Sequence, residues 1–389
     1  MNKTIKELDI LISDGNYSSK YPRSNEFIEN GIPFIRANNL VDGSISDEDM
    51  YYITPEKHSV LCKGHVKTGD VLITTRGNIG QVAIVPNKHD DSNINAQLVL
   101  LRTDNKKIYN RYLLWALQSR PAREQYLALQ TGTALKQLPV GKLERLNIKI
   151  TEIDKQHFIA DCFDNIYEII KDRRKELQCL DNLIKARFVE MFEQGNYPKV
   201  EFGDICVFLR NGANIKQTKG ASGLPITRIE TLANDVFNTD RLGYADIFEP
   251  GKYENYLLKS GDILISHINS VAYLGRAVQY RGQISSPVIH GMNLLCARII
   301  DGYNPTYIEF FFKTPIAKDY ISSITKKAVN QASITTSDLK KMMVPAPSIK
   351  KQNEFDYFVK QVDKSKVAVQ KSLDEAQLLF DSLMQKYFG

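Results

Sequence analysis

Several features that define membrane, secreted and metal-binding proteins are missing from this sequence. No run of about 18 consecutive apolar residues occurs, which excludes a membrane-spanning helix. Residues 1–7 contain no apolar signal core, and the five cysteines never occur as C-x-x-C, so we expect a cytoplasmic location. The six histidines show neither an H-x-x-x-H spacing nor a Cys/His cluster, so we expect no metal site.

Nucleotide-binding motifs are absent as well. Neither G-x-G-x-x-G nor G-x-x-x-x-G-K-[ST] occurs, which leaves a dinucleotide-binding fold or a P-loop without support. What is present is a composition typical of globular proteins, with 43% hydrophobic residues in a chain of 389, enough for two domains with their own cores. The net charge of +6 is mild, so it permits a polyanionic partner without requiring one.

The chain contains one sequence unit twice. Residues 32–40 (IPFIRANNL) align with residues 224–232 (LPITRIETL), and residues 67–73 (KTGDVLI) align with residues 259–265 (KSGDILI), both at an offset of 192 residues. Further pairs at offsets of 194 to 196 are Pro121 with Pro315, Tyr126 with Tyr320, Leu143 with Leu339, and Lys155-Gln156 with Lys351-Gln352. Because separate blocks keep their order, a shared pattern of strands and turns is a poor explanation, and we interpret the chain as a tandem repeat.

Both repeats have the same internal order of predicted elements. Short β-branched runs predict strands at 71–75, 81–85 and 98–101 in the first repeat, and at 263–266, 276–280 and 294–298 in the second. A helical pattern follows at 112–129 and at 307–324, with apolar residues three and four apart. Each repeat closes with a long segment of mixed polar and apolar residues, 153–193 and 349–389.

The closing segments have the clearest helical periodicity. Apolar residues alternate at three and four positions in both, and neither segment has an internal proline or glycine. Such a seam needs a partner helix, because alone it would expose an apolar stripe. The seam residues are Phe163, Ile166, Ile170, Leu177, Leu180, Ile184 and Met191 in the first, and Phe355, Val359, Val362, Val369, Leu373, Ala376, Phe380, Leu383 and Tyr387 in the second. We favour pairing of the two helices with each other; the alternative is that each packs only on its own globular domain.

Polar loops at matching places in the two repeats are the candidate functional surface. Framework residues repeat between the two units, while loop residues differ. This is expected of two binding domains that share one scaffold and have separate targets. Arg, Asn, Ser and Thr hydrogen-bond to base edges and phosphates, although a single polar loop with glycine is more commonly only a turn. The candidates are Arg36, Asn38, Asn39, Thr75, Arg76, Asn78 and Lys136 in the first repeat, and Arg228, Glu230, Ser266, His267, Asn269, Arg276 and Asn330 in the second.

Two short strings resemble catalytic motifs, and the repeat weakens both. Residues 304–307 (NPTY) resemble the Asn-Pro-Pro-Tyr loop of adenine methyltransferases, but the second proline is missing and the matching residues 110–112 (NRY) have no proline. Asn304-Pro305 therefore predicts the start of a helix. Residues 338–340 (DLK) resemble half of a nuclease motif, but the first repeat has KLE there. We predict no catalytic centre, no cofactor and no metal in this chain.

The order of these motifs, given twice, closely resembles the DNA specificity subunit of type I restriction-modification systems. The matching strings are residues 32–36, 69–73, 132–138 and 261–265, together with Pro-Ala-Pro at 345–347 before the last helix. The resemblance implies an α+β protein with two tandem β-rich target recognition domains, separated by two long helices that pair as an antiparallel coiled coil. The implied boundaries are 1–152 and 194–348 for the recognition domains, and 153–193 and 349–389 for the central and C-terminal spacer helices.

The resemblance also implies the partners. Each recognition domain would read one half of a split double-stranded DNA site, and the helices would set the spacing and dock two methyltransferase subunits. Those subunits would bring S-adenosylmethionine and methylate adenine, while motor-nuclease subunits, with ATP and Mg²⁺, would cut. Two alternatives stay open: a specificity subunit of a type II enzyme with a bipartite site, and a protein-binding adaptor that displays two modules on a coiled coil.

Overall fold

The computed structural model describes residues 1–15, 18–132, 136–193, 195–218, 222–327 and 331–389. The chain divides into two compact units. Unit 1 contains Met1–Lys175 with Gln370–Gly389, and unit 2 contains Glu176–Val369. Each unit therefore includes part of both long helices.

Unit 1 is built from eleven short strands and four short α-helices among its described residues, together with short 3-10 turns. The strands are β1 (Asn2–Thr4), β2 (Leu11–Asp14), β3 (Ile32–Ile35), β4 (Leu40–Val41), β5 (Ser44–Ile45), β6 (Tyr51–Ile53), β7 (Val71–Thr74), β8 (Val82–Ile84), β9 (Asn93–Ile94), β10 (Leu98–Arg102) and β11 (Asn147–Lys149). The helices are α1 (Pro55–Val60), α2 (Asn110–Gln118), α3 (Arg120–Leu129) and α4 (Val140–Leu143). The long helix α5 (Ile153–Phe188) begins in unit 1, ends in unit 2 and is followed by a π-helical turn, Val189–Glu193.

Unit 2 repeats this plan in its described part. Its strands are β12 (Lys199–Glu201), β13 (Cys206–Asn211), β14 (Gln217–Thr218), β15 (Pro225–Ile226), β16 (Gly243–Ala245), β17 (Ile263–Ser266), β18 (Ile268–Asn269), β19 (Ala277–Gln279), β20 (Leu294–Ile299), β21 (Lys326–Lys327), β22 (Ala332–Ser333) and β23 (Met343–Pro345). Its helices are α6 (Pro305–Phe311), α7 (Pro315–Ile324) and α8 (Thr336–Lys340), and the last long helix is α9 (Ile349–Phe388).

The central sheet has the same topology in both units, which confirms the tandem repeat. The strand order is β2-β10-β7-β8 in unit 1 and β13-β20-β17-β19 in unit 2, antiparallel throughout. In unit 1, Val71 and Ile73 face a core with α2, α3 and α5, while Leu72 faces a second core under β4, β5 and β9. Because both faces of the sheet are covered, its central strands β7 and β10 are nearly continuous apolar runs.

The repeated Gly-Asp string forms a structural ion pair. Asp70 is 1% exposed, and both of its carboxylate oxygens accept hydrogen bonds of 2.7 Å from the Arg102 guanidinium. Asp262 and Arg298 make the same two bonds at 2.7 Å in unit 2. The glycines before them, at positive φ of 89° and 98°, make the turn into the strand. The motif therefore belongs to the framework of each unit.

The single helical pattern predicted at 112–129 and at 307–324 is two helices in each unit. In unit 1 the chain breaks at Ser119, whose Oγ accepts a hydrogen bond from the Ala122 N–H and caps α3. In unit 2 Thr314 caps α7 in the same way. Pro121 and Pro315 follow these caps, and a proline lacks the N–H that would have continued the preceding helix. The helix start predicted at Asn304-Pro305 is confirmed, with Asn304 as the cap of α6.

A buried glutamine fixes the beginning of each long helix. Gln156 Oε1 accepts a hydrogen bond of 2.9 Å from the Tyr109 N–H, and its Nε2 donates to the carbonyls of Lys107 and Thr151. Gln352 bonds to the N–H of Asn304 and the carbonyl of Pro347 in the same manner. Both glutamines are fully buried. The repeated Lys-Gln pair of the sequence thus marks the place where a long helix leaves a globular module.

Each unit packs one long helix against the other. In unit 1 the Phe163 ring lies 5.4 Å from the Phe380 ring and 5.7 Å from the Phe388 ring. In unit 2 the Phe188 ring lies 5.3 Å from the Phe355 ring, and Lys366 Nζ lies 2.7 Å from Asp181 Oδ1. Among the described residues, no helix has both the length and the apolar character needed to cross a membrane.

Candidate nucleic-acid interface

In unit 1 two of the candidate loops are joined by backbone pairing. Arg76, two residues after the end of β7, forms a β-bridge with Gln137, and Gln137 also bridges to Thr131. The Leu138 N–H donates a hydrogen bond of 2.8 Å to the Thr75 carbonyl. The turn after β7 and the segment before α4, which are about 60 residues apart in sequence, therefore form one surface.

The side chains on this surface divide into exposed and buried groups. Arg76, Asn78 and Lys136 are exposed. Thr75 is buried, and its Oγ1 donates to the Gln97 carbonyl. Thr74, also buried, donates to the Asn78 carbonyl and accepts from the Gln81 N–H, so it closes the turn. Buried threonines thus hold a turn that presents charged and amide groups to solvent.

Unit 2 joins the matching loops with a small antiparallel sheet. Strand β18 directly follows His267 and pairs with β22, which in turn pairs with β21. Ala332, on the middle strand, lies opposite Asn269 on one side and opposite Lys327 on the other. The Ile334 N–H donates to the His267 carbonyl at 3.0 Å. The two units therefore bring the same two segments together with different residues.

The polar residues at the start of this loop in unit 2 face inwards. Ser266 is 2% exposed and His267 is 6% exposed. Ser266 Oγ accepts a hydrogen bond from Asn269 Nδ2 at 3.3 Å. Burial lowers the pKa of His267, so the imidazole is neutral near pH 7. We interpret Ser266 and His267 as residues that support the loop.

The third candidate segment is a 3-10 turn after β3 in unit 1 and after β15 in unit 2. Asn39 is fully buried; its Oδ1 accepts from the Arg36 N–H at 3.0 Å, and its Nδ2 donates to the Ser46 and Glu48 carbonyls. In unit 2 Thr231 Oγ1 accepts from the Arg228 N–H at 2.8 Å. Asn39 was expected to contact a ligand, but these bonds occupy its amide within the turn.

The three arginines next to these turns are partly buried and engaged within the protein. The Arg36 guanidinium lies 3.5 Å from the centre of the Tyr51 ring and donates to the Asp49 carbonyl. Arg228 donates to Gln217 Oε1. Arg276 forms a 2.7 Å ion pair with Asp235 and donates to the Leu232 carbonyl, which ties β19 to the turn after Arg228. These contacts orient each guanidinium and leave part of its surface accessible.

The structure thus separates the candidates by exposure. Asn38, Arg76, Asn78, Lys136 and Glu230 are exposed, Arg36, Arg228, Asn269 and Arg276 are partly exposed, Asn39, Thr75, Ser266 and His267 are buried, and Asn330 lies outside the described residues. Lys326 and Lys327, both exposed on β21, lie in the candidate segment that matches residues 131–137, of which only Asn330 is singled out as a contact from the sequence. Strand β22 joins them to Asn269 in one small sheet, so the pair of adjacent lysines is the signal for a further contact.

Each unit presents arginine, lysine and asparagine side chains from two joined loops, on a rigid sheet whose framework is common to both. Such side chains bind phosphates and base edges. The fold is thus a tandem repeat in which each unit presents its own pair of joined polar loops.

Comparison with known proteins identifies the family. Residues 9–178 and 195–376 both match the model of the type I restriction modification DNA specificity domain. The chain belongs to this family.

The relatives agree with this assignment. A putative type I restriction enzyme MjaX specificity subunit from Methanocaldococcus jannaschii is 30% identical over 51% of this chain, and the match spans 50% of that relative. The EcoKI specificity subunit of Escherichia coli K12 is 22% identical over 91% of this chain and 80% of that subunit. The crystal structure of the type I S subunit from M. genitalium has the same fold, with a TM-score of 0.61 at 15% identity, over 100% of this chain and 96% of the other.

Proposed function

We propose that this chain selects the DNA sequence on which a type I restriction-modification complex acts, with one half of a bipartite site read by each repeat. The observation that carries the proposal is the pair of joined loops, which follows β7 in unit 1 and β17 in unit 2. The framework around the loops is the same, down to the Asp-Arg ion pair, whereas the presented side chains differ. Two domains that recognise different DNA sequences need such a common framework with different side chains on it.

We assign base and phosphate contacts to the exposed and partly exposed candidates. In unit 1 these are Arg36, Asn38, Arg76, Asn78 and Lys136, and in unit 2 they are Arg228, Glu230, Asn269 and Arg276. Arginine and asparagine make two-point contacts to guanine and adenine, and glutamate accepts from cytosine. Asn39, Thr75, Ser266 and His267 act by shaping the loops, and Asn330 stays a prediction from the sequence.

We further propose that α5 and α9 pair as an antiparallel coiled coil that sets the distance between half-sites. The contacts that support it run in opposite directions along the two helices: Phe163 with Phe380 and Arg174 with Gln377 in unit 1, then Asp181 with Lys366 and Phe188 with Phe355 in unit 2. As residue numbers rise in α5, those of the contacting residues in α9 fall. The proposed recognition domains are then residues 1–152 and 194–348, and the spacer helices 153–193 and 349–389.

The chemistry belongs to partners in this proposal. Two methyltransferase subunits dock on the helices and bring S-adenosylmethionine, and motor-nuclease subunits bring ATP and Mg²⁺. This chain, in the cytoplasm, supplies sequence choice and no catalytic group. With a net charge of +6 over the whole chain, we expect the isolated protein to bind DNA weakly and the complex to bind it tightly.

An exchange of recognition domains tests the proposal. Residues 1–152 are replaced by the matching domain of a relative with another specificity, the chimera is assembled with its methyltransferase subunits, and the methylated sites are mapped. We expect one half of the recognised site to change and the other half to stay. The reciprocal exchange of residues 194–348 is the matched control and must change the opposite half.

The same experiments separate the alternatives. A protein-binding adaptor would show no sequence-selective DNA binding with or without methyltransferase subunits. Nanomolar sequence-specific binding by the chain alone would contradict the expected dependence on partners. A change in both halves after one exchange, or in neither, would overturn independent reading. Assembly with a single fused nuclease-methyltransferase chain would favour the type II alternative.

A further inference from the structure

Three potential metal ligands from separate places in the sequence converge in unit 1. His58 lies on α1, His65 lies in the loop after it, and Asp91 lies just before β9. One ligand atom from each falls within 4.8 Å of the other two. Among the described residues this is the one group of three or more His, Cys, Asp and Glu side chains with such a geometry.

Hydrogen bonds orient both imidazole rings towards the carboxylate. His58 Nδ1 lies 2.6 Å from Asn93 Oδ1, and His65 Nε2 lies 2.6 Å from the Leu61 carbonyl oxygen. Both partners are oxygens that only accept, so these ring nitrogens carry the protons. The other nitrogens face Asp91, at 3.4 Å for His58 Nε2 and 3.9 Å for His65 Nδ1. A second-shell bond of this kind is typical of histidines that bind metal ions, because it fixes the tautomer.

The spacing is compatible with a tetrahedral ion after a small closure of the site. Bonds of about 2.0–2.2 Å from zinc to nitrogen and oxygen place neighbouring ligand atoms roughly 3.3–3.6 Å apart. His58 Nε2 lies 3.4 Å from Asp91 Oδ2, and His65 Nδ1 lies 3.9 Å from Asp91 Oδ1. The two rings lie only 4.5 Å apart, centre to centre. Two protonated imidazoles at that distance would repel each other, whereas a metal ion uses both rings in their neutral form.

The backbone holds the ligands in place. Asp91 has a positive φ of 56°, a conformation that aspartate tolerates, and its N–H donates to the Val66 carbonyl at 2.9 Å. His65 forms a β-bridge with Asn93, and the Ile94 N–H donates to the Gly64 carbonyl. The loop with His65 and the loop with Asp91 are therefore fixed to each other before any ion binds.

We propose that His58, His65 and Asp91 bind a divalent transition-metal ion of the zinc type, with water in the remaining position. Two imidazoles and one carboxylate are a ligand set for zinc and its neighbours, and a poor one for Mg²⁺ or Ca²⁺. The ion would brace α1 against β9, the strand that pairs in parallel with β3. This site is independent of the proposed function and of the residues assigned to DNA.

Metal competition on the full chain tests the site. The protein is stripped with a chelator, and Zn²⁺ is then titrated in competition with a chromogenic chelator. We expect one competing equivalent in the wild-type chain, and a loss of affinity of at least about tenfold in Asp91→Asn and His65→Gln. Asp91→Asn suits the test because asparagine is isosteric and also tolerates positive φ. Exposed His157, outside the cluster, provides the matched control, and His157→Ala should bind as the wild type does.

Cysteine is the competing ligand to exclude. Cys62 is exposed and close in sequence, so Co²⁺ is bound to the wild type and to Cys62→Ser, and the absorption spectrum is recorded. We expect visible bands of a tetrahedral nitrogen-oxygen site, no thiolate charge-transfer band, and no change in Cys62→Ser. Zn²⁺ should also raise the Tm of the wild type and not that of Asp91→Asn, since an ion that binds only the folded state stabilises it.

Three results would overturn the proposal. One is wild-type protein that fails to compete for Zn²⁺, another is binding that Asp91→Asn and His65→Gln leave unchanged, and the third is binding that disappears in Cys62→Ser. A circular dichroism spectrum of each metal-free variant that matches the wild type establishes that loss of binding is not loss of folding.

Discussion

Unit 1 and unit 2 have the same framework, but the loops that connect its strands differ in structure. The strand order of the central sheet, the Asp-Arg ion pair, the capped helix after it and the buried glutamine at the long helix all occur in both units. The loops after β7 and β17 differ. In unit 1 a single β-bridge holds exposed Arg76, whereas in unit 2 a three-stranded sheet follows the buried His267. A shared scaffold of this kind lets the loops of the two units diverge without loss of folding.

Loss of the buried ion pair in one unit should produce the largest loss of stability that we expect, and the loss should be confined to that unit. Asp70→Ala leaves the Arg102 guanidinium without its buried partner, which costs about 3–5 kcal/mol. Amide exchange in β7 and β10 should accelerate by roughly two to four orders of magnitude, and Asp262→Ala should do the same in β17 and β20.

The matched control for this pair is Asp14→Ala on β2. Asp14 lies in the same sheet and forms an exposed ion pair with Lys63 of a neighbouring loop, worth about 0–1 kcal/mol. If Asp70→Ala were as mild as Asp14→Ala, the ion pair would not be a framework element. If Asp70→Ala and Asp262→Ala differed widely, the two frameworks would not be equivalent.

Acid should destabilise unit 2 through its buried His290. Burial lowers the pKa of His290 to about 4, against the opposing effect of its 2.8 Å hydrogen bond with the Leu294 carbonyl. An unfolded chain takes up the proton near pH 6.5, whereas the folded one does not, so stability falls from pH 6.5 towards pH 4 by up to about 3 kcal/mol. Amide exchange in β20, corrected for intrinsic rates, should report this loss.

Two comparisons sharpen the acid result. His157→Ala, at an exposed histidine of unit 1, should leave the pH profile of unit 2 unchanged. His290→Asn should make the profile of β20 shallower between pH 6.5 and pH 4, whatever its effect on stability at neutral pH, and buried His267, whose pKa is also lowered, accounts for the slope that remains. A wild-type profile that is flat over this range would show that His290 does not stay neutral in the folded protein.

Single loop residues should divide the DNA site between the units. In the assembled complex, Arg76→Ala should cost about 1–3 kcal/mol and relax selectivity at one position of one half-site, because a two-point contact to guanine is lost. Asn269→Ala should act on the other half-site. Binding to a panel of single-base variants measures both, and unchanged affinity and selectivity for Arg76→Ala would remove this residue from the surface.

The smallest effect concerns charge alone. Lys327 is exposed on β21, and we expect it to contact a phosphate. Lys327→Ala should weaken binding of all sequences equally and reduce the slope of log K against log salt by about one. Lys142, in the last turn of α4, provides the control, and Lys142→Ala should leave the slope unchanged. A selective effect of Lys327→Ala at one base would mean direct reading instead.

The framework was accessible from the sequence because its residues repeat. The Gly-Asp strings at 69–70 and 261–262 and the apolar strands after them depend on local rules that both repeats obey, so their positions could be predicted. The division of one helical pattern into α2 and α3 was missed, because the periodicity continues past the Ser119 cap and only the proline signals the break.

The candidate site was less accessible, because exposure depends on packing. Asn39 and His267 have polar side chains in loops, so the sequence favours contact with solvent, yet neighbouring turns cover both. The joining of Arg76 to Gln137, and the approach of Asp91 to two histidines, depend on long-range pairing that no local pattern encodes.

The packing near the start of α5 also determines the tryptophan fluorescence of the protein. Trp115 is the only tryptophan in the chain, and it is 2% exposed, with its indole N–H bonded to Asp164 Oδ1 at 2.9 Å. Its ring lies 5.6 Å from the Phe380 ring, so its neighbours come from α5 and from the end of α9. Fluorescence excited at the indole band therefore comes from one known place, with no label and no second emitter of its kind. Any ligand that changes the packing of these helices in unit 1 would change the wavelength and intensity of that emission.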